Sequence, residues 1–134
     1  KLAVRLHQDI TPRSTYTDTT DAQYISSASF DYSGTSFSLG CETSLMQNAD
    51  NIIADEEKSL MSIYGSYKLS ENYTLFARYD DATETSNEGS YTIYGIERQM
   101  SKGVTVALNM QSWTDAADGS DAENTLYLNL EYKF

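Results

Sequence analysis

Residues 126–134, Leu126-Tyr127-Leu128-Asn129-Leu130-Glu131-Tyr132-Lys133-Phe134, alternate strictly. Leu126, Leu128, Leu130, Tyr132 and Phe134 are apolar, and Tyr127, Asn129, Glu131 and Lys133 stand between them. A period of two is the signature of a strand with one greasy and one wet face. The same alternation recurs along the chain and predicts eight strands, near residues 1–10, 22–33, 36–47, 58–69, 73–81, 90–100, 103–113 and 125–134. Each is roughly 9–12 residues long, the length a tilted strand needs to cross a bilayer.

Sorting these segments by parity separates two sets of side chains. One set reads Leu2, Val4, Leu6, Ala28, Phe30, Leu39, Cys41, Leu45, Met61, Ile63, Leu69, Leu75, Ala77, Tyr94, Ile96, Val104, Val106, Leu108 and Met110, and it holds no charge. The other is small, polar and charged: Ser27, Ser29, Ser38, Gly40, Ser62, Tyr64, Ser66, Thr74, Phe76, Gly95, Thr105, Ala107, Asn109, Gln111 and Asn129, with the charged Arg5, Asp31, Glu42, Arg78, Asp80, Glu97 and Glu131. The pattern by itself permits either set to face inward.

Three features favour lipid against the apolar set. The strand length is the first. The second is the final Phe134, which gains nothing from water but suits the aromatic belt of a membrane. The third is the spacing of connections. Gly34-Thr35, Ser70-Glu71-Asn72 and Ser101-Lys102 are short, whereas Thr11–Asp21, Asn48–Glu57, Ala82–Gly89 and Thr114–Asn124 are long. Strict alternation means two ends with different jobs, as in barrels whose short turns face the periplasm and whose long loops face outward.

Aromatic positions agree with that division. Tyr32, Phe37, Tyr67, Tyr73, Tyr132 and Phe134 flank the short-turn end, and Tyr24, Tyr79 and Tyr91 stand near the long loops. They are expected to form two membrane girdles. Charge is segregated as well. The long loops hold Asp18, Asp21, Asp50, Asp55, Glu56, Glu57, Glu84, Glu88, Asp115, Asp118, Asp121 and Glu123, while Lys1, Lys68, Arg98, Lys102 and Lys133 gather at the other end. The expected molecule has a negative crown and a mildly positive foot.

The net charge of −11 argues against nucleic acid, whose phosphates need a basic stripe. At 134 residues the chain is expected to be one domain, residues 1–134. Many strand formers and the lone Pro12 make the composition all-β, and no apolar run is long enough for a transmembrane helix. The absence of an initial Met means that a signal was removed or that the chain is an excerpt. Cys41, the single cysteine, falls within an apolar face and reads as a small hydrophobe.

The stretch Tyr67-Lys-Leu-Ser-Glu-Asn-Tyr-Thr-Leu-Phe-Ala-Arg-Tyr-Asp80 resembles the strand–turn–strand hairpin of Gram-negative outer-membrane porins. So does the stretch from Tyr94 through Gly103 to Leu108, and the ending Leu130-Glu-Tyr-Lys-Phe134 resembles the signal read by the outer-membrane assembly machinery. The resemblance covers roughly residues 58–134 and is strongest there. It implies a transmembrane antiparallel up-and-down β-barrel in the bacterial outer membrane, in contact with lipid and lipopolysaccharide, passing small hydrophilic solutes as a possible homo-oligomer. Porins of this kind have sixteen or eighteen strands, so eight strands correspond to about half a barrel, and no loop here is long enough to fold inward as a constriction. The chain is therefore either half of such a barrel or a closed eight-stranded one.

Those two architectures assign different work to the polar set. In a sixteen-stranded barrel Arg5, Asp31, Glu42, Arg78, Asp80, Glu97 and Glu131 line a wet lumen and bias it mildly toward cations. In a closed eight-stranded barrel the interior has room only for its own side chains. Arg5 and Arg78 must then pair with Glu42, Glu97 and Glu131. Function would move to the acidic loops, as adhesion, envelope integrity or partner binding. No cofactor is called for. Catalysis is not expected, since His7 is the one histidine and nothing beside it spells a triad. Asp115, Asp118, Asp121 and Glu123 have spacings able to hold Ca²⁺ but lack the full EF-hand order, and read more simply as a solvated loop. The acidic crown would also be able to share divalent cations with lipopolysaccharide phosphates. Asn72-Tyr-Thr74 fits a glycosylation sequon but sits in a short turn.

Overall fold

A computed structural model of the chain describes residues 1–11, 23–48, 57–84, 88–115 and 122–133. They form eight strands: β1 (Leu2–Thr11), β2 (Gln23–Ser33), β3 (Phe37–Gln47), β4 (Glu57–Lys68), β5 (Tyr73–Glu84), β6 (Glu88–Ser101), β7 (Val104–Asp115) and β8 (Glu123–Tyr132). All are antiparallel, and each pairs with its neighbours in chain order within one sheet. Among the described residues β1 and β8 do not pair with each other, so the sheet is open, with two edges.

Two local features differ from the sequence expectation. β5 runs on past residue 81, because Asp81, Ala82 and Thr83 pair with Ser90, Gly89 and Glu88. The strands thus leave only residues 85–87 between them, and the strict alternation of short and long connections fails there. The Ser101-Lys102 turn is also displaced. A register shift between Gln99 and Ser101 makes a bulge at Met100, and Gly103 takes a φ of 81°. A Cβ at Gly103 would lie 2.5 Å from the Lys133 carbonyl oxygen, so glycine is required on both counts.

The register settles which side chains share a face. One row runs Leu2, Tyr32, Leu39, Gly65, Ala77, Tyr94, Met110, Leu126 from β1 to β8. The charges on this face, Glu57, Asp81, Glu88 and Arg98, stand near strand ends. The apolar band also drifts along the strands. On β1 it covers Leu2 to Leu6, at or above that row, whereas on β8 it covers Leu126 to Tyr132, at or below it.

Burial is inverted relative to a water-soluble sheet. On interior strands, which have a neighbour on each side, Leu39 is 55%, Leu75 40% and Leu108 45% exposed. The buried polar side chains are Ser62, at 0%, and Asn109, at 4%, both on the opposite face. The apolar set therefore makes no core, and the sheltered face is the polar one.

Candidate functional site

The residues that sequence parity assigned to one wet face are brought together by the register. Arg5, Ser29, Glu42, Ser62, Asp80, Tyr91, Trp113 and Glu123 form one row across all eight strands. The next row toward the short-turn end carries Asp31, Gly40, Tyr64, Arg78, Ile93 and Gln111. Glu97 and Glu131 lie on the same face further along. All seven candidate charges thus share one surface.

Their pairing is not the one a closed eight-stranded barrel was expected to require. Arg5 donates from Nη1 to the Asp31 carboxylate, its diagonal neighbour. The Tyr64 hydroxyl donates to the other Asp31 oxygen at 2.7 Å. The Arg78 guanidinium stands 5.7 Å from the Tyr64 ring centroid. Its Nε donates to the two oxygens of Asp80 at 2.7 and 2.9 Å, and Nη2 donates to Ser62 Oγ at 3.0 Å. The result is one chain from β1 to β5: Arg5, Asp31, Tyr64, Arg78, Asp80. The expected partners Glu42 and Glu97 form no ion pair among the described residues, and Glu131 pairs with Lys133 at 3.2 Å. The reason is geometric. Asp31 and Asp80 lie one pleat from the arginines, while Glu42 is separated from Arg5 by a whole strand.

This arrangement leaves the face electrically unbalanced. Each arginine is matched to an aspartate, and Glu42 and Glu97 make no ion pair among the described residues, with Lys68 in the cross-strand row of Glu97 the nearest cation by register to that residue. A polar solute meeting this face meets fixed carboxylates and no unmatched guanidinium.

Several residues on the face were not singled out from the sequence. Trp113 is 38% exposed and lies across Gly89, where an added Cβ would come within 2.4 Å of its ring. Phe76, already placed on this face by sequence parity, lies across Gly95, with ring Cζ 2.8 Å from the corresponding position. Ile25, Met46, Leu60 and Ile93 also belong to this face by register. Counting alternate residues outward from Asn109 would have found Trp113.

Tyr24, Tyr32, Phe37, Tyr67, Tyr73 and Tyr132 stand on the apolar face, and Tyr32 and Phe37 touch with ring centroids 5.3 Å apart. Arg98 lies 5.2 Å over the Tyr73 ring. Two expected girdle residues are placed otherwise. Tyr91 belongs to the polar face, and its hydroxyl donates to Gln111 Oε1. Tyr79 lies mid-strand between Ile63 and Thr92, because β5 is longer than expected. Phe134 lies outside the described residues, as do Asp118 and Asp121 of the Ca²⁺ candidate; Asp115 ends β7 and Glu123 opens β8. His7 is exposed opposite Ser27, and Cys41 is exposed on the apolar face.

An open depression of about 950 Å³ reaches the polar face at Tyr64, Phe76, Arg78 and Asn109. It is lined mainly by apolar-face residues, among them Leu39, Ile63, Leu75, Tyr94 and Ile96, around the small Gly65 and Ala77. Its lining suits hydrocarbon rather than a polar solute. Compared with family models, curated proteins and solved structures, the chain matches none.

Proposed function

We propose that this sheet is the wall of an outer-membrane β-barrel of the porin type. Its apolar face meets lipid, and its Arg5-to-Glu131 face meets a water-filled passage for small hydrophilic solutes or ions. The observation that carries the reading is the inverted burial. Leu39 on β3, Leu75 on β5 and Leu108 on β7 stand exposed while Ser62 and Asn109, also on interior strands, are enclosed. Moving each such leucine out of water is worth about 1.5–3 kcal/mol, and a contiguous apolar surface of this extent is not tolerated by a soluble monomer. The oblique band supports the same reading, since strands of a membrane barrel tilt by about 35–45°. The open sheet favours a wall completed by further strands over a closed eight-stranded barrel.

In this role Glu42 and Glu97 bias the passage toward cations, and the Arg–Asp pairs brace the wall. The test has two parts. The chain should need detergent to stay folded in solution, and the completed barrel that contains it should give discrete conductance steps in planar bilayers. Folding without detergent, with Leu128 and Leu130 in a dry interior, defeats the membrane reading. Detergent dependence without conductance leaves instead a scaffold acting through its acidic loops.

A further inference from the structure

The polar face carries more apolar side chain than water or ions require, and that excess is arranged in a strip. At its upper end Tyr91 on β6 and Trp113 on β7 are cross-strand neighbours, with ring centroids 6.5 Å apart. Ile93 follows one pleat below on β6. Phe76 on β5 follows below that, opposite Gly95 and seated on it. Successive levels are two residues apart, about 6.7 Å at the rise of a strand. The strip has polar margins. On one side Gln111 donates to Asn109 at 3.1 Å and accepts from Tyr91. On the other stands Arg78 with Asp80.

We propose that this strip is a binding track for a neutral saccharide. A sugar ring has an apolar face of C–H groups and a rim of hydroxyls that both donate and accept. Aromatic rings laid on a sheet match the first, and planar amide, guanidinium and carboxylate groups beside them match the second. Glycines at positions 89 and 95 let the rings lie against the sheet rather than project from it. An inorganic ion has no use for such a strip, and a lipid chain has none for its hydrogen-bonding margins. The proposal rests on the polar face being open to water, and it names the solute class for that face.

Trp113 is the chain's single tryptophan, so it reports on the track directly. The full chain in detergent is titrated with maltotriose and with cellotriose while its fluorescence is followed. A saturable change with at least one of them is expected. Phe76→Leu keeps an apolar filler on Gly95 but removes the ring, and should weaken the apparent affinity about threefold to tenfold, the size of one ring contact. Ile93→Thr is the second variant if Phe76→Leu fails to fold. Ser29→Ala, on β2, should leave the titration unchanged. No response to either sugar overturns the proposal, as does a response that Phe76→Leu and Ile93→Thr leave intact. Conductance is read separately. Channel steps without a sugar response sink the track and keep the passage; a sugar response without steps keeps the track and sinks the passage.

Discussion

Tyr64 on β4 lies directly across Gly40 on β3, so that a Cβ at Gly40 would fall 2.2 Å from ring carbon Cε2. The glycine is a seat for the ring, and the seated ring is what aims the Tyr64 hydroxyl at Asp31, 2.7 Å away. Gly40→Val should therefore unseat Tyr64 and break the chain of polar contacts between β2 and β4. Overpacking of this kind costs about 1–3 kcal/mol. Urea titration of the detergent-folded protein should show a lowered midpoint, and adding Tyr64→Ala to Gly40→Val should recover part of the loss. A Gly40→Val midpoint equal to that of the parent contradicts the seating argument.

Arg78 links three partners, Tyr64, Ser62 and Asp80, and the Asp80 side chain is only 13% exposed. Arg78→Met leaves that carboxylate without its cation. Because Arg78 itself is 38% exposed, water screens part of the interaction, and the expected loss is about 1 kcal/mol rather than the larger figure of a dry pair. Asp80→Asn placed on top of Arg78→Met should restore most of it, since the uncompensated charge is then gone. A double-mutant cycle on unfolding midpoints decides; strictly additive losses mean that the pair is not coupled.

Selectivity should follow the unmatched acids. Glu42→Gln and Glu97→Gln each remove a carboxylate that no arginine neutralises, and should lower the cation-to-anion permeability ratio read from reversal potentials across a salt gradient. Lys133→Gln frees Glu131 from its ion pair and should shift that ratio the other way, toward cations. A ratio that is unmoved in the Glu42→Gln, Glu97→Gln double variant separates these residues from the ion path.

Periodicity of two made the eight strands and the division into faces legible, because a one-residue slip would have turned every Leu of β8 over. Where the strands end was harder to read. Ala82-Thr83-Glu84 looks like loop by composition, yet it continues β5 because Glu88 and Gly89 offer it a partner strand. That extension is also what moves Tyr79 away from a strand end. The Arg–Asp pairing was invisible for a different reason. Parity says which face a charge is on, but which acid lies one pleat from Arg5 depends on the register between β1 and β2, and one sequence does not carry that. The aromatic seats on Gly40, Gly89 and Gly95 combine both kinds of information: the parity was readable, the pairing was not.

The sharpest prediction compares one charge on the two faces. Leu75 lies within the apolar run Tyr73 to Tyr79 on β5, opposite Tyr67 and Ile96. Thr105 lies on the other face of β7, opposite Glu131. If lipid covers the first face, Leu75→Arg places a guanidinium in hydrocarbon, at a cost of about 2–4 kcal/mol near the middle of a bilayer. Thr105→Arg meets water and a neighbouring carboxylate and should be neutral or slightly stabilising, within about 0.5 kcal/mol. Folding into vesicles, followed by protease protection or by the shift of folded against heat-unfolded migration on gels, should be impaired for Leu75→Arg alone. In a soluble sheet with a dry interior on the Leu75 side the protein would instead fold without lipid and Leu75→Arg would fail there too. The deciding measurement is therefore the pair of variants in vesicles and in plain buffer, where the parent itself should not fold.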